Sequence, residues 1–132
     1  MFKKIDHIEV VTAEPEKIAA FYTDVLGFRP KFRDSVPLPD GSGTLDIEYL
    51  DLAGTSIELL TYHGVATVPA TRELQFGYRM FALEVDDLKE ALRYLQSKGI
   101  EPVWGPVFRD KYARAEIQDP NGNLIELRQW ND

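Results

Sequence analysis

The chain has 132 residues, with 22 acidic against 15 basic side chains, a formal net charge of −7 and no cysteine. That length suits one domain able to bury roughly two-thirds of its unfolded surface, and the missing thiol excludes disulfide frameworks, thiolate zinc sites and cysteine nucleophiles. The acidic balance argues against a duplex nucleic-acid binder, which needs a basic face to displace counterions, and favours a small-molecule or protein partner.

The opening Met1-Phe-Lys-Lys-Ile-Asp-His7 carries lysines with no apolar run behind them. Neither a signal peptide nor a membrane span is expected, and the cytoplasm is the default location. Ile5 to Thr12 alternates as a strand, with Ile8 and Val10 on one face and His7, Glu9 and Val11 on the other. The period then changes. Pro15 suits a first helical turn, Ile18, Ala19, Phe21, Tyr22, Val25 and Leu26 recur at helical spacing, and Gly27 is placed to end the helix at Leu26. Phe28 to Arg33 reads as a short strand, and Asp34 to Gly43, with two prolines and two glycines, as irregular. Leu45 to Leu52 and Ser56 to Tyr62 form a hairpin about Ala53-Gly54.

A second copy of this order follows. After an aperiodic connection at 63–75, Tyr78 to Val85 reads as a strand, and Asp86 or Asp87 caps a helix whose apolar stripe is Leu88, Ala91, Leu92 and Leu95. Gly99 stops that helix, and strands are predicted at Ile100 to Trp104, Tyr112 to Gln118 and Leu124 to Trp130, the last two joined by the turn Asp119-Pro-Asn-Gly-Asn123. The chain is therefore one domain of two duplicated modules, about 1–62 and 76–132, each strand, helix, strand, strand, strand. One helix cannot cover both faces of four strands, so one face of each sheet stays open.

Parity selects the residues of that open face. Glu58 lies between Ile57 and Leu59, and Glu126 between Ile125 and Leu127, so both acids turn away from the core, as does His7 beside Ile8. Met80 occupies the position in the second module that His7 holds in the first. Either glutamate alone would read as a solvated acid, and a lone histidine as a satisfied structural residue. Gathered in one concave site, two carboxylates and an imidazole repel and desolvate one another unless a cation binds them. A divalent metal on His7, Glu58 and Glu126 removes that conflict.

The ordered set His7-Ile-Glu-Val, Phe21-Tyr22, Leu26-Gly27-Phe28, Ile57-Glu58-Leu59, Ala82-Leu-Glu-Val-Asp-Asp87 and Asp119-Pro-Asn-Gly-Asn-Leu-Ile-Glu126-Leu resembles the vicinal oxygen chelate superfamily over nearly the whole chain. That superfamily includes glyoxalase I, methylmalonyl-CoA epimerase, extradiol dioxygenases and bleomycin-binding proteins. The resemblance implies an α+β fold of two tandem βαβββ modules forming a cup-shaped, mostly antiparallel sheet with helices outside. It also implies one divalent ion (Fe, Mn, Ni, Co or Zn) held from the first and last strands of each module, at His7, Glu58, position 80 and Glu126. Met80 departs from the histidine common there, and a thioether is a poor partner for cations that carboxylates select.

The implied activity is that of a lyase or isomerase of the glyoxalase and epimerase type. Glu126, or symmetrically Glu58, would move a proton next to a carbonyl whose vicinal oxygens the metal chelates. The rival is a metal-free protein that sequesters a bleomycin-type ligand, with a dioxygenase a more distant third. Met80 is expected to line the cup. Tyr49, Tyr112, Arg114 and Arg128 either line it and bind an anionic or polar substrate or form cross-strand surface pairs. Glu84 is expected at a solvated rim, His63 at the surface, and Trp104 and Trp130 in buried or interface positions. Apolar sheet edges and Trp130 lead us to expect a homodimer.

Overall fold

Alternation and helical periodicity resolve into β1 (His7–Val11), α1 (Pro15–Ala20), β2 (Arg29–Pro37), β3 (Thr44–Leu52) and β4 (Thr55–His63), then β5 (Phe81–Glu84), α2 (Leu88–Ser97), β6 (Trp104–Phe108), β7 (Tyr112–Gln118) and β8 (Leu124–Trp130). The computed structural model describes residues 1–71 and 73–132. The chain divides into two compact units, Met1–Pro69 and Ala70–Asp132. Each holds one four-stranded sheet, ordered β1-β4-β3-β2 in the first and β5-β8-β7-β6 in the second. In both, the first strand pairs in parallel with the last and the remaining pairs are antiparallel. This is the α+β, tandem βαβββ arrangement that the resemblance implied.

Register makes the duplication quantitative. Ile8 stands opposite Ile57 in the first unit and Phe81 opposite Ile125 in the second. Counting from these pairs, His7 corresponds to Met80, Glu9 to Ala82 and Glu58 to Glu126. Likewise Tyr49 opposite Glu58 corresponds to Glu116 opposite Glu126. The pleat sends Leu50, Ile57 and Leu59 to one face of the first sheet, where they are buried with Ile18, Tyr22 and Phe28. In the second unit Ala113, Ala115, Ile117, Ile125 and Leu127 are buried with Leu88 and Leu95 of α2. Small alanines on β7 leave room for that helix.

Helix ends follow local chemistry. Asp87 caps α2 by accepting from the Glu90 N–H at 3.1 Å, which satisfies one of the donors that every helix start leaves open. Beyond α1 the chain continues as a π-helical segment, Phe21–Val25, in which the Leu26 N–H reaches the Phe21 carbonyl at 3.2 Å. Gly27 then takes φ 84°, the left-handed conformation that a side chain disfavours. The predicted helix to Leu26 is thus helical throughout, but its second half is π-helical and wider than an α-helix.

Four predicted boundaries are corrected. Residues 34–37 belong to β2 rather than to an irregular loop, because β2 is an edge strand, where Pro30 and Pro37 need no N–H for a second neighbour. The predicted strand at Ile100 to Trp104 begins instead at Trp104. Ile100 is still engaged in ending α2, donating to the Leu95 carbonyl at 2.9 Å. The strand predicted from Tyr78 begins at Phe81, so Met80 directly precedes it. His63 ends β4 instead of opening the connection, and its ring lies 2.8 Å from Asp46. Among the described residues no helix is long and apolar enough to cross a membrane.

Candidate functional site

On the first unit, parity places His7 and Glu9 of β1, Glu58 of β4 and Tyr49 of β3 on the sheet face opposite the core. His7 Nε2 lies 2.9 Å from Glu58 Oε2 and 3.3 Å from Glu9 Oε2, while its Nδ1 lies 2.9 Å from Asp6 Oδ2. The hydrogen bond to Asp6 raises the affinity of His7 for a proton. Burial opposes this, and Glu9 and the charge of Glu58 add to it. Tyr49 is edge-on to His7, with ring centroids 5.7 Å apart, and stacks on Phe32 at 4.5 Å. Burial and then its hydrogen bond to Glu58 push the Tyr49 hydroxyl above its ordinary pKa.

The ligand atoms of His7, Glu9 and Glu58 all lie within 4.8 Å of one another, the one such group among the described residues. Nitrogen and carboxylate oxygens form a donor set that suits a borderline or hard divalent ion with open positions. Bonds of about 2.1 Å put neighbouring ligand atoms about 3.0 Å apart in an octahedron and about 3.4 Å in a tetrahedron. The separations at Nε2, 2.9 and 3.3 Å, are hydrogen-bond distances that also lie near the range of these edges, so by donor type and spacing the three side chains can accommodate one ion.

The second unit presents a different face. Both oxygens of Glu126 are taken: Oε1 accepts from Arg114 Nε at 2.6 Å and Oε2 from Arg128 Nε at 3.1 Å. Glu116 beside it accepts from Arg114 Nη2 at 2.7 Å and from Arg79 Nη2 at 3.2 Å. Burial works against the charge on Arg114, but its bond to Glu126 and the fields of both glutamates raise its pKa. The Arg114 guanidinium also lies over Trp104 at 4.5 Å, and that of Arg128 lies between Tyr112 at 4.4 Å and Trp130 at 4.7 Å. Arg114 and Arg128 are direct cross-strand neighbours. The corresponding residues of the first unit are Ile47 and Leu60, so Glu58 has no such clamp.

Of the residues singled out in the sequence, His7, Glu58 and Tyr49 gather in the first unit, and Glu126, Arg114, Arg128 and Tyr112 in the second. Met80 adjoins this second group, its Sδ 3.6 Å from Arg79 Nη1. Trp104 and Trp130 are exposed rather than buried, and Glu84 and His63 are exposed as expected. Sequence reasoning missed Glu9, Glu116 and Arg79. The signal for Glu9 was present, since a His-x-Glu spacing on a strand puts both side chains on one face.

A separate cavity of about 570 Å³ is lined by Arg33, Ser35, Asp46, Glu48, Leu59 and Thr61 near the start of α1. Leu59 and Thr61 alternate to the face opposite Glu58. Four of its polar groups pair with one another, Arg33 with Glu48 at 3.1 Å and Ser35 with Asp46 at 2.7 Å.

Residues 4–127 match the Glyoxalase/Bleomycin resistance protein/Dioxygenase superfamily. Mouse mitochondrial methylmalonyl-CoA epimerase is 29% identical over 134 residues, covering 96% of this chain and 72% of the relative. The Bacillus subtilis protein YwkD is 33% identical over 101 residues, 76% of each chain. The crystal structure of a glyoxalase family protein from Bacillus cereus superposes with a TM-score of 0.82 at 21% identity, covering 100% of this chain and 97% of that one.

Proposed function

The chain belongs to the glyoxalase, bleomycin resistance and dioxygenase superfamily, and from that premise we propose that it is a metal-dependent isomerase or lyase acting at the carbon next to a carbonyl. The observation that carries this reading is the His7–Glu58 pair at 2.9 Å on the open sheet face, where a core strand has no use for an acid. A bound divalent ion would polarise the substrate carbonyl and favour loss of the neighbouring proton. His7 and Glu58 are the proposed holders of that ion. Glu126, the third member of the set expected from the sequence, is the proposed proton carrier, with Glu58 its symmetric alternative. The proton leaves the carbon for the carboxylate and returns from it or from solvent. Arg114 and Arg128 orient Glu126 and offer donors to an anionic substrate, and Tyr49, Met80 and Tyr112 are the other proposed substrate-contacting residues. The epimerase relative makes a 2-methylmalonyl thioester the first substrate to try. A cytoplasmic homodimer is part of the same reading.

The test is exchange at that carbon. Incubated in D2O with a 2-methylmalonyl thioester or a 2-oxo aldehyde thiol adduct, the protein should incorporate deuterium when Mn2+, Co2+, Ni2+, Zn2+ or Fe2+ is supplied and stop when it is chelated. No exchange with any of these ions would refute the proposal. A second reading, a metal-free protein that binds a small molecule, is favoured by Met80 at the position of His7 and by the arginine clamp on Glu126. It predicts ligand binding unaffected by chelator.

A further inference from the structure

Three carboxylates, of Asp6, Glu9 and Glu58, surround one imidazole, and among the described residues no lysine or arginine forms an ion pair with Glu9 or Glu58. The second unit differs, because arginines pair with Glu116 and Glu126 on its open face. Register sharpens the contrast. Where Glu58 has Ile47 and Leu60 beside it, Glu126 has Arg114 and Arg128, and where the first unit has Glu9 the second has Ala82. The duplicated faces have thus diverged, one lacking a cation and the other supplied with its own.

We propose that Glu9 is the third protein ligand of the metal, so that the first module alone holds the ion through His7, Glu9 and Glu58. The inference rests on the metal-dependent reading above and adds Glu9 to the two holders named there, with Glu126 outside the ligand set. His7 and Glu9 are two residues apart on β1, and the pleat gives them the same side as Glu58, whose Cα is the register partner of Glu9. His7 Nδ1 is bonded to Asp6 Oδ2 at 2.9 Å, while Nε2 faces carboxylate oxygens of Glu58 at 2.9 Å and Glu9 at 3.3 Å. Metal-binding histidines commonly donate their other N–H to a carboxylate, which fixes the tautomer and raises ligand basicity. Asp6 supplies that bond from outside the ligand set.

Binding of Mn2+ alone to the full chain, followed by the electron paramagnetic resonance of the free ion, tests this without turnover. The parent should bind one Mn2+. His7→Ala and Glu58→Gln should abolish binding, Glu9→Gln should weaken it by more than the roughly 10–100-fold that loss of an outer-shell partner costs, and Glu126→Gln should leave it within about threefold. Loss of binding in a Glu126→Gln variant whose circular dichroism matches the parent, whatever Glu9→Gln does, would overturn the inference while leaving the metal-dependent reading standing. A parent that binds no Mn2+, Zn2+, Co2+, Ni2+ or Fe2+ would overturn both. The Glu9 side chain is 58% exposed on an edge strand, so Glu9→Gln should fold whether or not Glu126→Gln does. Parent-like affinity in Glu9→Gln is then sufficient by itself to sink the proposal.

Discussion

Arg114 is the keystone of the charged face on the second unit, and replacing it with Met tests whether that lattice is structural. Its guanidinium bonds Glu126 at 2.6 Å and Glu116 at 2.7 Å, with Arg114 20% exposed and the two acids 12% and 5% exposed at the side chain. Breaking a buried pair by removing one partner costs about 3–5 kcal/mol, because the other charge is stranded. Here each acid keeps a second partner, Arg128 at 3.1 Å for Glu126 and Arg79 at 3.2 Å for Glu116. That reduces the expected loss to about 2–3 kcal/mol, including the cation–π contact with Trp104. At about 3–5 °C per kcal/mol for a chain of this size, Arg114→Met should lower Tm by about 6–15 °C. Urea unfolding of the parent, Arg114→Met, Glu116→Gln and the double variant would isolate the coupling between the pair, expected at about 1 kcal/mol or more. A loss below about 0.5 kcal/mol would mean the lattice is a solvated surface array, and the contrast drawn between the two units would lose its energetic basis.

Asp6→Asn should lower the pKa of His7 in metal-free protein, read from imidazole proton shifts during an NMR titration, since the bond to Asp6 is the main cause of its elevation. A group whose folded pKa is raised stabilises the fold fully below its unfolded pKa and loses that contribution as pH rises through the folded pKa. The apo parent should therefore lose stability relative to Asp6→Asn as pH climbs from about 6 through the raised pKa. Gly43→Ala should destabilise by about 2 kcal/mol or more in chemical unfolding, because a Cβ there would meet the His63 carbonyl oxygen at 1.8 Å, a backbone atom that cannot turn aside. Asp87→Ala should cost about 1 kcal/mol through loss of the α2 cap, and Asp87→Ser should recover most of it.

Much of the fold was legible because its signals were local. Strands β7 and β8 have the predicted limits, Tyr112–Gln118 and Leu124–Trp130, since alternation was clean and the Asp119 turn allowed one register. In that turn Asp119 Oδ1 accepts from the N–H groups of Asn121 and Asn123 at 2.9 Å each. Strand β2 was misjudged because proline ends a central strand but not an edge strand, and edge position depends on topology. The candidate site was readable by parity as far as which side chains share a face. Alternation left open whether Arg114 and Arg128 would meet a substrate or pair across strands. Long side chains choose partners by reach, and Arg114 spans from Glu116 on its own strand to Glu126 on the next.

Glu58 and Glu126 each stand on the last strand of their module, and that strand is central in its sheet, with β4 between β1 and β3 and β8 between β5 and β7. During vectorial synthesis β2 and β3 can pair as a hairpin once they emerge, whereas β1 has no strand to pair with until β4 appears. Arrival of β4 therefore completes the sheet, covers the edge of the waiting hairpin and brings Glu58 to His7 in one step. A nascent chain stopped before Thr55 has β1 with its histidine, lacks that acid, and leaves unpaired the edges of β1 and β3 that β4 covers, edges of the kind that recruit other chains. The strand that completes the sheet is thus the one that completes the His7–Glu58 pair, and a chain truncated before Thr55 lacks both.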